Sequence, residues 1–255
     1  MITLNMRNAG TLLMRKMFSA VLGLTILVSV NHGHASDAES RLIVPEPYRK
    51  FTLYTQEYGG LKPKVLVVFH GFASAMPNGA FKRLRKAVSE HYSVLGFNYD
   101  YFDHDANLAV FNQAWENVLK HHEVTFSGSS LGGFWANFYA QIFDVKRILL
   151  VNPVIEPHAQ LQQFIGPVYV EKRGIELVVT QADIDTYEGL TSPSGGGVRR
   201  LILLTRDDKV IDYKRTVDHF TEEDDTLLIF DKGGHTLDLN EPRFRDPIIK
   251  FFIQD

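Results

Sequence analysis

Ser130 sits in the middle of Gly128-Ser129-Ser130-Leu131-Gly132, between the β-branched and aromatic Val124-Thr125-Phe126 and an aromatic-rich run at 134–143. A serine hydroxyl is a weak nucleophile until a neighbouring base takes its proton. Gly-x-Ser-x-Gly at a strand-to-helix junction is the pattern of a turn sharp enough to hold such a hydroxyl above a sheet. Gly128 and Gly132 remove the Cβ atoms that so tight a bend would press together. The helix that follows would aim unpaired N–H groups and the positive end of its dipole at the Ser130 hydroxyl. The plainer alternative is a Gly/Ser turn that only packs a helix against a sheet.

A nucleophilic serine needs an imidazole, and the imidazole needs a group that fixes its tautomer. Three histidines lie downstream: His158, His219 and His235. His158 falls in an irregular stretch and His219 inside a helical pattern. His235 follows the last expected strand through Asp231-Lys232-Gly233-Gly234, which makes it the expected base. The acid should close the preceding strand, where Asp208 is the choice and Asp207 and Asp212 are its rivals. Aspartates at strand ends also serve as turn and cap residues. A developing oxyanion needs two donors. The N–H of Leu131 is one. The N–H of Phe72 is the other, with Gly71 allowing close backbone approach and His70 shaping the loop.

A rival constellation is Asp100-Tyr101-Phe102-Asp103-His104-Asp105, whose carboxylates and imidazole could hold a metal ion. No second set of ligands accompanies it, so it reads instead as a polar loop rimming the site. No metal and no cofactor is expected.

These side chains need strands to carry them. Val65-Leu66-Val67-Val68-Phe69 is a continuous apolar run, as in a strand buried on both faces of a parallel sheet. Further strands are expected at 51–58, 92–97, 124–126, 147–151, 200–205 and 226–230, with helices at 80–91, 108–120, 134–143, 213–220 and 241–253. This alternation predicts a mostly parallel, doubly wound α/β sheet with helices on both faces and right-handed crossovers. The rhythm breaks at 155–198, which ends in Ser192-Pro193-Ser194-Gly195-Gly196-Gly197. That stretch reads as an insertion or lid over the sheet edge, or as one crossover helix with a long link.

With 255 residues, 45% of them hydrophobic and 22% charged, the chain can bury one good core. A net charge of −3 argues against nucleic acid or an anionic membrane as partner. Without cysteine there is no disulfide, thiolate site or Cys nucleophile. Near the start, Arg7, Arg15 and Lys16 precede the apolar stretch 17–30, and Gly33-His34-Ala35 supplies a small-x-small end. This predicts a cleaved export signal at 1–35 and a periplasmic or secreted protein. The alternative is a membrane anchor made from the same segment, although it is short of the ~20 residues a span requires. One domain is expected over 36–255.

Five motifs, in this order, resemble those of the YqiA-like small bacterial esterases of the α/β-hydrolase superfamily: His70-Gly71-Phe72, Gly128-Ser129-Ser130-Leu131-Gly132-Gly133, Val151-Asn152-Pro153, Asp208-Lys209-Val210-Ile211-Asp212-Tyr213 and Gly233-Gly234-His235. The resemblance runs from about residue 65 to the C-terminus. It implies an α/β-hydrolase fold, Ser130, Asp208 and His235 as a triad, and cleavage of short acyl esters as small-molecule substrates. A thioesterase or acyltransferase on the same triad, or a binding protein without turnover, would share these motifs.

Overall fold

Five of the six residues of β3 (Lys64–Phe69) are buried, as a strand covered on both faces must be. The computed structural model describes residues 41–43, 52–55, 60–171 and 174–254, and these belong to one compact unit. The expected export signal at 1–35 lies outside the described residues. In chain order the larger elements are β1 (Arg41–Ile43), β2 (Thr52–Thr55), β3, α1 (Gly79–Val88), β4 (Tyr92–Asn98), α2 (His104–Asn117), β5 (Glu123–Ser129), α3 (Leu131–Ile142) and β6 (Arg147–Val151). There follow α4 (Pro157–Gln160), β7 (Gly166–Val170), β8 (Ile175–Val179), α5 (Gln181–Asp185), β9 (Arg199–Thr205), α6 (Tyr213–His219), β10 (Asp225–Phe230) and α7 (Pro242–Ile249).

Eight strands form one sheet in the order β1-β2-β4-β3-β5-β6-β9-β10. The six from β4 to β10 run parallel, while β1 and β2 add an antiparallel edge. This is the mostly parallel, doubly wound sheet that the β-α alternation predicts, and it agrees with the α/β-hydrolase fold that the resemblance implies. The chain goes from β3 outward to β4 and then returns to place β5 on the other side of β3. The loops after β3 and β5 therefore diverge at the carboxyl end of the sheet, leaving the crevice where open α/β sheets hold ligands.

Period-two alternation sends neighbouring side chains of each strand to opposite layers. Val65, Val67 and Phe69 join Phe97, Phe111, Phe126 and Tyr139 on one face. Leu66 and Val68 join Phe81, Leu84, Val88, Phe244 and Ile248 on the other. Helix α1 buries Phe81, Leu84 and Val88, spaced along one stripe. Full burial of each such side chain contributes about 1.5–3 kcal/mol.

Helix α2 begins at His104, four residues before the expected start. Asp103 caps it by accepting the Ala106 N–H at 3.2 Å. Asp100 accepts the N–H groups of Phe102 and Asp103. Tyr101 is 3% exposed and His104 packs against Trp135 and Tyr187, where burial holds its pKa down at about 4. The 100–105 stretch thus turns the chain and caps a helix, with Tyr101 and His104 packed among aromatic rings.

Between β6 and β9 the chain forms α4, a 3₁₀ turn at Gln162–Phe164, the two-stranded antiparallel sheet β7-β8, and α5. Ser192 donates its N–H to the Ile155 carbonyl, and Asn137 binds Ser192 and Pro193, so both ends of the segment are fastened to the main body. The hairpin escaped the sequence because apolar residues occupy both of its faces. Tyr169 (64% exposed) and Val178 (60%) point outward, which blurs the alternation that marks a half-buried strand.

At the amino end of β9, Arg200 and Asp225 form an ion pair at 3.0 Å with both side chains fully buried. Arg200 also donates to Asn137 Oδ1, Gly195 O and Val198 O. Removing one partner strands the other charge in the core. We expect Asp225→Asn to lower unfolding free energy by about 3–5 kcal/mol, read from a urea titration.

Candidate active site

Ser130 lies between the last residue of β5 and the first of α3, with φ 54° and ψ −126°. A non-glycine residue there is strained by about 1–3 kcal/mol. The strain is held by four bonds. The Ser130 N–H donates to Val151 O at 3.0 Å, and the Ser130 carbonyl accepts from Gly133, Phe134 and Val154. The pentad glycines are required by contact. A Cβ on Gly128 would lie 2.0 Å from Gly132 O, and one on Gly132 would lie 2.3 Å from Phe69 O and 2.4 Å from His70 O. Those neighbours are backbone and cannot swing away. Gly132→Ala is therefore expected to destabilise the fold by about 3 kcal/mol or more, measurable as a shift in denaturation midpoint.

Gly71 runs beside the serine. A Cβ there would stand 3.4 Å from Ser130 Cβ and 4.0 Å from Ser130 Oγ. The loop is clamped from behind by the fully buried His70. Tyr99 donates its N–H to His70 Nε2, so Nδ1 carries the proton and donates to Gly71 O at 2.9 Å. The Tyr99 hydroxyl donates to His70 O, and the two rings stack at 4.2 Å. Phe72 follows Gly71 in this loop. Leu131 opens α3, so its N–H has no acceptor inside the helix.

Asp208 and His235 lie on the loops after β9 and β10. Asp208 Oδ2 accepts from His235 Nδ1 at 2.8 Å, and Asp208 Oδ1 accepts the N–H groups of Val210 (2.7 Å) and Ile211 (3.0 Å). The Asp208 side chain is 1% exposed and that of His235 is 26% exposed. Burial alone would raise the Asp208 pKa. The His235 and backbone hydrogen bonds outweigh it and hold the carboxyl below its ordinary value. The two rival aspartates are engaged elsewhere: Asp207 accepts the Gly234 N–H at 2.8 Å, and Asp212 caps α6. Of the other downstream histidines, His158 pairs with Asp185 and His219 bonds Ser192 O.

Asn152 joins these parts, a role the sequence reading did not assign. With φ 41°, it donates from Nδ2 to the carbonyls of Gly234 and His235, both at 3.1 Å. Its Oδ1 accepts the Thr205 N–H, and its own N–H donates to Leu203 O. Val151, the residue before it, takes the Ser130 N–H. One residue thus ties the serine bend to the histidine loop. The available clue was an Asn-Pro pair directly after a strand, where Asn tolerates a positive φ. Ser130, Asp208, His235 and the 70–72 loop all sit at the carboxyl end of the sheet.

Several solved structures share this fold. Est1E from Butyrivibrio proteoclasticus superposes with a TM-score of 0.61 at 13% identity, covering 80% of this chain and 93% of that one. Esterase Pf2001 from Pyrococcus furiosus gives 0.56 at 11%, covering 80% and 87%. XC6422 from Xanthomonas campestris, described as an α/β serine hydrolase without lid, gives 0.53 at 13%, covering 86% and 95%. At these identities the likeness establishes the α/β-hydrolase architecture. The family model described as Uncharacterised protein family (UPF0227) matches residues 65–253, from β3 to the last turn, and the chain belongs to that family, the YqiA-like group its motifs resemble.

Proposed function

We propose that the protein is a serine esterase acting through an acyl-enzyme on Ser130. The observation that carries this reading is the 2.8 Å bond from His235 Nδ1 to a buried Asp208, at the same sheet end as a strained serine bend. With Nδ1 committed to Asp208, Nε2 is the nitrogen that takes the Ser130 proton as Oγ attacks the ester carbonyl. The N–H groups of Leu131 and Phe72 receive the oxyanion. Collapse of the tetrahedral adduct breaks the C–O bond, and the alcohol leaves with the proton from His235. Water then repeats the sequence on the acyl-enzyme, giving the acid and free Ser130. The depressed pKa of Asp208 keeps it ionised throughout and able to stabilise the imidazolium. The esterases among the structural neighbours support the same chemistry, and a small ester is the substrate class.

A fluorophosphonate probe should label the wild-type protein and leave Ser130→Ala unlabelled. Equal labelling of both would defeat the assignment. The export reading of 1–35 is tested separately. Full-length chain made in a bacterium should be recovered from the periplasm or medium with an N-terminus near Ser36, and an intact Met1 would refute it. Among the described residues no helix is long and apolar enough to cross a membrane.

A further inference from the structure

Phe72 follows Gly71, where an added Cβ would stand 3.4 Å from Ser130 Cβ, and its ring is the centre of an aromatic group. Tyr101 lies 5.0 Å from it edge-on, Phe164 5.1 Å away and Phe102 6.1 Å away. Tyr101 is buried, with its hydroxyl donated to Ser74 O at 2.6 Å, so it forms a floor. Phe72, Phe102 and Phe164 are half-buried. That is unlike the core rings Phe69, Phe97, Phe111 and Phe126 behind them, which are at most 1% exposed.

The three half-buried rings come from separate places: the loop after β3, the turn after β4, and the 3₁₀ turn at Gln162–Phe164. That last turn also reaches the acid loop. Gln163 Nε2 donates to Val210 O at 3.3 Å, and the Val210 N–H donates to Asp208 Oδ1. It therefore spans from the loop that carries Phe72 to the loop that carries Asp208, along one side of the crevice.

Resting on the serine-esterase reading, we infer that Phe72, Phe102 and Phe164 form a subsite for a planar aromatic ring in the ester, on its acyl or its alcohol side, with Phe164 the residue that sets the preference. Tilted and edge-on rings accept another aromatic ring in the same offset geometry. This favours it over an alkyl chain of similar length by about fivefold to tenfold.

The test uses two matched pairs of esters with the mature wild-type protein: methyl 3-phenylpropanoate against methyl hexanoate, and benzyl acetate against pentyl acetate. One pair should show kcat/KM about tenfold higher for its aromatic member, and which pair does so assigns the ring to the acyl or the alcohol side. Phe164→Leu keeps an apolar side chain but removes the ring, so the ratio should fall to about twofold. If that variant folds poorly, Phe102→Leu should lower the same ratio. Inhibition of the wild type by 3-phenylpropanoate, tighter than by hexanoate, marks an acyl-side ring without any substitution. Benzyl alcohol against pentanol does the same for an alcohol-side ring. Equal rates within both pairs, or a ratio that both variants leave at the wild-type value, overturns the subsite. In that case an enzyme still labelled by fluorophosphonate keeps the esterase reading intact. A protein that is neither labelled nor active on any of the four esters brings down both.

Discussion

Ser130→Ala should lower kcat for ester hydrolysis by roughly 10⁴–10⁶-fold. Alanine at this position has no atom that can attack a carbonyl. The activity left would come from the oxyanion donors and binding alone, which is why it should not reach zero. The hydroxyl makes none of the bonds that hold the bend: Val151 O takes the backbone N–H, and the Ser130 carbonyl receives Gly133, Phe134 and Val154. The melting temperature should therefore stay within a few degrees, and substrate affinity should change far less than turnover. A parallel loss of stability and activity would place Ser130 in the architecture and outside the chemistry.

Asp208→Asn is expected to lower kcat by roughly 10³–10⁴-fold while leaving the loop in place. Asparagine can still accept the Val210 and Ile211 N–H groups through its oxygen. Its amide would then face His235 Nδ1 with a donor, favouring the tautomer whose Nε2 carries the proton and cannot accept one from Ser130. The stability consequence depends on pH. The folded-state pKa of Asp208 is depressed, so its ionisation contributes stability that is present above the ordinary carboxylate value of about 4 and lost as pH falls through the folded value. The difference in unfolding free energy between wild type and Asp208→Asn should thus be constant near neutrality and shrink below about pH 4. A difference that grows on acidification would contradict the assignment.

The sheet and the bend were legible because each rests on local physics. Val65 to Phe69 reads as a doubly covered strand wherever it occurs. Gly128 and Gly132 are needed by contacts within a few residues of the serine or directly beneath it. The order of Ser130, Asp208 and His235 follows from one loop per strand end. What stayed hidden depends on partners distant in sequence. Asn152 reaches 82 and 83 residues ahead to Gly234 and His235, and nothing adjacent to it announces that. Asp207 and Asp208 are chemically alike and neighbours, and only the fold decides that one holds the Gly234 backbone while the other meets the imidazole. The early start of α2 was obscured because Asp100, Asp103 and His104 resemble a polar cluster, although one carboxylate turns the chain, another caps the helix and the imidazole is packed among aromatic rings.

The central claim is that the acyl group passes through Ser130, and acid-quenched turnover of an activated acetate ester tests it most directly. Intact-mass and peptide analysis of the quenched wild type should find one acetyl group per chain, on the peptide containing Ser130, accumulating in the first turnover. Steady hydrolysis with no adduct, or an adduct carried on another residue and retained in Ser130→Ala, would contradict the account.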